Sequence, residues 1–293
     1  MDQVRWQKAV RFILLTFLLT WGLVAVCILL NRNSPVLPYT VLAMIVMLIP
    51  ALSAIILTKV KDKGSLKALG LSFKLNRYFL LAWFYPVILV LITIGINALI
   101  PGVSLDPSLE GIVERTAGQL SEGAQQLAKN QLERAPLHPF WLGIISGLLA
   151  GATINALFAF GEEFGWRGYL LEVLRPLGFW KASMLIGLIW GIWHAPFIYL
   201  FGHNYPVHRW AGIFMMVIFC LFLSFIHTFI RLRSGSVVAA AILHGTLNGL
   251  GGLPLLVLAG GNDLTNGITG LAGMIALAIL TVPIIWKVRR DPL

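Results

Sequence analysis

Charge is the first thing this sequence is short of. Of its 293 residues only 12% are charged, against about 25% in an ordinary soluble domain. No stretch is polar enough to form a soluble domain, although the length by itself would allow two. Cysteine is nearly absent as well. Cys27 and Cys220 are the only two, and both lie inside apolar runs. That excludes a disulfide framework and a cysteine-ligated zinc site, and leaves two buried thiols. No His-Glu-x-x-His stretch occurs, which removes the commonest metalloprotease signature. No inverted repeat divides the chain, which counts against a proton- or metal-coupled transporter.

What is there is hydrophobic length. Residues of hydrophobic type make up 58% of the chain, and apolar runs near the roughly 20 residues needed to span a bilayer recur throughout. They predict an all-α polytopic membrane protein with eight transmembrane helices, at about 11–30, 38–58, 78–100, 140–161, 182–201, 210–230, 236–258 and 268–286. The first run, behind Arg5, Lys8 and Arg11, has the charge order of a signal peptide but no small-x-small cleavage site. It reads as an uncleaved span. Val26 stands where a lipoprotein signal places a small residue, so Cys27 is not expected to be lipidated.

The net charge of +10 sits in short loops between apolar runs, the pattern of a membrane protein rather than of a nucleic-acid binder. With the N-terminus inside, seventeen of the 22 Lys and Arg fall on the inner side. Arg32, Arg115, Lys129, Arg134 and Arg209 remain outside. Both termini are therefore expected in the cytoplasm, in a multi-pass protein of a bacterial-type cell membrane. The outer segment 101–138 repeats Leu109, Ile112, Val113, Ala117, Leu120, Ala124 and Leu127 at three- and four-residue steps. That is the pattern of an amphipathic helix at the outer interface, read as a solvated helical linker, with gating of a partner or substrate as the alternative.

Against this background three polar groups stand out. Gly161-Glu162-Glu163-Phe164-Gly165-Trp166-Arg167-Gly168 puts two carboxylates and an arginine at the end of the fourth run. Charged groups in hydrocarbon are costly and usually functional. Glu163 and Arg167, four apart, can pair on one helix face, which leaves Glu162 about 100° away without a local partner. The fifth span carries Trp190 and His194, and the seventh carries His244 and Asn248, again four apart and on shared faces. At 1.5 Å per residue, His194 and His244 lie on the order of 18 and 12 Å from the cytoplasmic end, so all three groups are expected to meet in that half of the bilayer.

The chemistry open to such a cluster is hydrolysis. A lone carboxylate can take a proton from water, a histidine can share proton work or bind metal, and His244 with Asn248 offers donors for an oxyanion. Glu162, His194 and His244 also make a zinc set with one position left for water. Residues alone leave the two mechanisms open. Lone membrane histidines more often serve as interhelical hydrogen-bond partners, and His138, His203 and His208 at the outer boundary are read as solvated. His227, toward the cytoplasmic end of the sixth span, is read as satisfying a backbone or side-chain partner, with support of the site as the alternative, and Asn155, two turns before Glu162, as a donor behind it.

Taken together, Glu162-Glu163-x-x-x-Arg167, Trp190-x-x-x-His194 and His244-x-x-x-Asn248 resemble the three motifs of the CAAX-protease and bacteriocin-processing (CPBP) family, the Rce1-like intramembrane endopeptidases. The resemblance covers about residues 139–252, a protease core within a single membrane domain of 1–293. It implies an eight-helix fold with a site opening to the cytosol. It also implies that Glu162 activates water with help from His194, that His244 and Asn248 hold the oxyanion, and that Glu163, Arg167 and Trp190 support them. Substrates in this family include lipid-modified CAAX proteins, and some members are silent binding, immunity or scaffold proteins on the same fold. Whether the family uses zinc or the glutamate alone is left open. Trp190 departs from the phenylalanine often found at its position.

Overall fold

The computed structural model describes residues 5–30, 38–118 and 121–292. Arg32 and Leu120, used in the charge count and the amphipathic pattern, lie outside them. Helix α1 (Trp6–Leu30) is followed by α2 (Tyr39–Ile56), which continues as a π turn to Lys61, and by α3 (Arg77–Asn97). A strand β1 (Val103–Leu105) and helices α4 (Leu109–Ala117) and α5 (Glu122–Glu133) occupy the long connection. Next come α6 (Pro139–Ala152), α7 (Ile154–Glu163), a π turn (Phe164–Leu170) and the short α8 (Leu171–Leu174). The chain continues through α9 (Gly178–Trp193), α10 (Ala195–Phe201), α11 (Arg209–Ser234) and α12 (Val237–Leu250). It closes with α13 (Leu253–Leu256), strand β2 (Leu258–Gly260) and α14 (Leu271–Arg290).

Among the described residues, seven helical segments are long and apolar enough to cross a membrane, and Pro139–Ala152 is a shorter apolar helix. The protein is thus an all-α, multi-pass membrane protein; among the described residues the one departure is the antiparallel ribbon of β1 and β2, which pairs Val103 with Gly260 and Leu105 with Leu258. The segment expected as one amphipathic helix is two. Helix α4 buries Gly111, Ile112, Val113 and Ala117, whereas α5 buries none of its residues. Both cysteines are free and buried, as their apolar settings predict.

Two of the expected spans are interrupted, and the second break, at His194, lies on the cavity wall. At Thr153 the backbone leaves the helical region (φ −122°, ψ −100°) and the side-chain hydroxyl donates to Leu149 O at 2.6 Å. At His194 the helix tightens to a bond on Gly191 O, and Pro196, which has no N–H, stands at the start of the next helix. The Trp193 carbonyl at that break accepts the Trp21 indole N–H at 3.2 Å.

The loops define two unlike faces. On the first, the basic face, Lys8 pairs with Asp62, Asn76 donates to Ser234 O, and Arg231 binds both Glu172 and Arg167 O. On the second, the loop-rich face, Arg115 ties Asp106 to Leu256 O, and Asp263 accepts the Val207 and His208 backbone N–H groups. There the Ser108 hydroxyl and the arginine hold the Asp106 carboxyl down to about 2. Tyr205 donates to Thr269 O, and Asn97 donates to Asn266, so the loop 262–269 is braced from three directions.

Close helix approach through glycine sets the site's position. Helix α12 meets the α6–α7 junction backbone to backbone: a Cβ on Gly245 would lie 2.5 Å from Ala156 N and 2.7 Å from Gly151 O. A Cβ on Gly161 would overlap Met47 O and Leu48 Cα of α2. Because the neighbours are backbone, they cannot rotate aside. Gly245→Ala is therefore expected to cost about 1–3 kcal/mol, the usual overpacking penalty, and to displace His244 beside it. Thermal unfolding in detergent reads the first effect, and an unchanged midpoint would refute it.

Candidate active site

The four residues singled out from the sequence as a reacting group lie on segments far apart in the chain. Glu162 is the penultimate residue of α7, His194 is the joint between α9 and α10, and His244 and Asn248 stand one turn apart on α12. The structure brings all four to the wall of one cavity of about 540 Å³. Apolar side chains from α2, α10 and α11 (Val46, Met47, Phe197, Phe219) line the same space.

The two adjacent glutamates take separate partners, as their 100° offset requires. Glu162 Oε2 accepts the Trp190 indole N–H at 2.8 Å. Glu163 faces away into a dry interior and is fully buried together with Arg167. Its Oε1 accepts Arg167 Nη1 at 3.2 Å, four residues on, and His244 Nδ1 at 2.8 Å from across the bundle. His227 Nε2 lies 3.8 Å from the same oxygen. A carboxylate oxygen shared by two donors fixes the His244 ring plane and puts the proton on Nδ1, so Nε2 is the nitrogen left for the cavity.

His194 is oriented by the same logic. Its Nδ1 donates to Trp190 O at 2.8 Å, because a carbonyl only accepts. Its Nε2 is thereby left as a lone-pair site. Trp190 links the whole group: Arg167 Cζ stands 4.4 Å over its ring, and its ring lies within 6 Å of those of His194, His227 and His244. A phenylalanine at this position would keep the ring contacts and lose the bond to Glu162. Asn155 donates to Gly245 O at 3.2 Å, the carbonyl next to His244.

His203 is a cavity residue that sequence reasoning placed among the solvated histidines. It lines the cavity, stacks parallel to His194 at 6.3 Å, and its Nδ1 lies 2.5 Å from the Tyr39 hydroxyl. Burial pushes it down to about 4, so it is neutral at neutral pH. Its only sequence signal was its position on a short loop after the His194 helix, which is too weak to separate it from His138 or His208.

A second set of candidate metal ligands is defined by who shares the Glu163 carboxylate. Among the described residues, the His and acidic groups whose ligand atoms come within 4.8 Å of one another are Glu163, His227 and His244. That is a different trio from Glu162, His194 and His244. A divalent ion in it would sit against the Arg167 guanidinium, which already binds Glu163 Oε1. The trio does not fit a metal centre, because a fixed positive charge takes the place of one. Its chemistry is that of a counter-ion holding His244.

The cavity's mouth separates two expectations that the sequence reading had joined. His194 ends a helix of 16 residues that starts at the basic face, about 24 Å away at 1.5 Å per residue. Beyond it the wall is made by Tyr39, His203, Asn204, Asn262 and Thr269, all on the loop-rich face. Toward the basic face the site is sealed, since every residue from Gly161 to Leu171 is buried. A site opening to the cytosol and a basic face lying in the cytosol therefore cannot both hold.

Comparison with known proteins agrees with the motifs. Residues 136–250 match the family described as Type II CAAX prenyl endopeptidase Rce1-like. Over 126 residues the chain is 33% identical to "CAAX prenyl protease 2" of Methanococcus maripaludis, covering 41% of this chain and 44% of that one. The chain thus matches less than half the length of this curated relative.

Proposed function

We propose that this chain, whose residues 136–250 match the Rce1-like family, is an intramembrane endopeptidase whose catalytic core is residues 139–252 of one membrane domain. The observation that carries this reading is the meeting of Glu162, His194, His244 and Asn248 on one cavity wall. Glu162 takes the proton of an attacking water, and His194 Nε2 assists in its transfer. His244, as an imidazolium with Glu163 as counter-ion on Nδ1, turns Nε2–H toward the oxyanion, and Asn248 supplies a second donor. Trp190, Glu163 and Arg167 touch none of the reacting atoms and act by orientation.

The 48-residue helical run Ile154–Phe201 would be about 72 Å long if straight, more than twice the hydrocarbon thickness. It turns at Gly178 (φ +77°) and counts as two crossings, which brings the total to eight and puts both termini on the basic face. The relative's name brings prenylated C-terminal tails into consideration as a substrate class. The purified protein with a panel of membrane-anchored peptides tests the reading. Asn248→Ala is expected to lower kcat by about 10²–10³, as loss of one oxyanion donor does, and His194→Gln to lower it as well. Full activity in both variants would remove the assignment.

A further inference from the structure

The geometry points to a catalytic cavity that opens away from the cytoplasm, so that the bond cut lies in a polypeptide segment on the outer side of the membrane. The orientation half rests on charge and cavity shape alone; the substrate half rests on the peptidase reading.

Among the described residues, the end of the cavity away from the Glu163–Arg167 pair is walled by the loop-rich face: Tyr39 at the start of α2, His203 and Asn204 before α11, and the loop 262–269 before α14. At its other end lie the Glu163–Arg167 pair, both members fully buried, and the Arg231 guanidinium that caps Arg167 O. Lys and Arg sort between these two faces with little ambiguity. The basic face holds Arg5 before α1, Lys8 and Arg11 in its first turns, six residues at and between the ends of α2 and α3, the cluster after α7, and the last turns of α11 and α14. Such residues in short loops and helix ends are retained on the cytoplasmic side. The loop-rich face carries more acidic than basic side chains: Asp106, Glu110, Glu114, Glu122, Glu133 and Asp263. A cytosolic mouth would require seventeen of the 22 basic residues to cross the membrane.

The lining fits the chemistry of an uncharged chain. None of the described residues on the cavity wall is Lys or Arg, and the Asp263 carboxylate is already taken by His208 and two backbone N–H groups. The polar groups left for a substrate include the amides of Asn204 and Asn248, which can pair with a peptide backbone entering from outside, whereas Asn262 and Asn266 are bonded within their own loop and to Asn97. There is no basic clamp for a free terminal carboxylate. The fitting substrate is the outer juxtamembrane stretch of a membrane-anchored polypeptide, cut within the chain.

The orientation is tested on the full chain in intact cells with a membrane-impermeant maleimide. Cys27 and Cys220 are buried and contribute little background. Val207→Cys, at an exposed position of the loop-rich face, is expected to label before lysis to the same extent as after it. Lys67→Cys, exposed on the basic face, is expected to label only after lysis. The reverse pattern, or labelling of both before lysis, overturns the orientation and leaves the peptidase reading intact. New protein termini present with the wild type and missing with Glu162→Gln are expected in outer segments. Termini confined to cytosolic tails overturn the substrate half, and no new termini at all overturn the peptidase reading beneath it.

Discussion

Glu162→Gln is expected to abolish measurable hydrolysis while the protein stays folded. The substitution keeps the side chain's volume, and the amide oxygen can still accept the Trp190 N–H that Glu162 Oε2 now takes at 2.8 Å. What it removes is the ability to take a proton from water. A positioned general base contributes roughly 10²–10⁴-fold, so the loss should be at least of that order. Glu162 has no partner of opposite charge of its own, because Arg167 is engaged by the neighbouring carboxylate. Stability should therefore change little. Initial rates on a cleaved peptide, set beside a thermal unfolding curve, separate the two. A variant that cleaves within a few-fold of wild type would show that another group activates the water.

The opposite pattern is expected at Glu163. Here the carboxylate is the anchor of a buried network that takes Arg167, His244 and, at longer range, His227. Removing one partner of a buried pair leaves an uncompensated charge and costs about 3–5 kcal/mol. Glu163→Ala should therefore unfold at much lower denaturant or temperature than wild type. The network is not optimised for stability: Arg167 Nε and Nη2 and Glu163 Oε2 are buried without hydrogen-bond partners. Replacing both members, with Glu163→Leu and Arg167→Met together, is accordingly expected to recover much of the lost stability, as apolar replacements of buried pairs often do. It should not recover activity, because His244 Nδ1 would have no acceptor and the ring no fixed plane. A double variant with both properties restored would show that the pair has no part in orienting His244.

These two expectations show where sequence and structure each supply the argument. Helical spacing makes Glu163 and Arg167 neighbours whatever the fold, and makes His194 a neighbour of Trp190, since residues four apart share a face. Scarcity did the rest, because a polar side chain inside a span is exceptional enough to mark itself. Which glutamate meets which histidine was not legible, since it depends on α12 lying against α7 at Gly245, a contact between segments about 90 residues apart. His203 and Tyr39 were missed for the same reason: each sits at the end of its own segment, and only the fold stacks one histidine on the other.

By itself the sequence determined that the chain is a helical membrane protein, which of its loops are basic, and which i and i+4 side chains pair. Those properties follow from composition and from the pitch of a single helix. The tertiary structure alone decided that Arg167 and His244 meet on one oxygen of Glu163, that Trp190 donates to Glu162, and that the cavity opens on the face opposite the basic loops. Each of these depends on helix ends approaching through close backbone contact, and the hydropathy of separate segments carries no information about that.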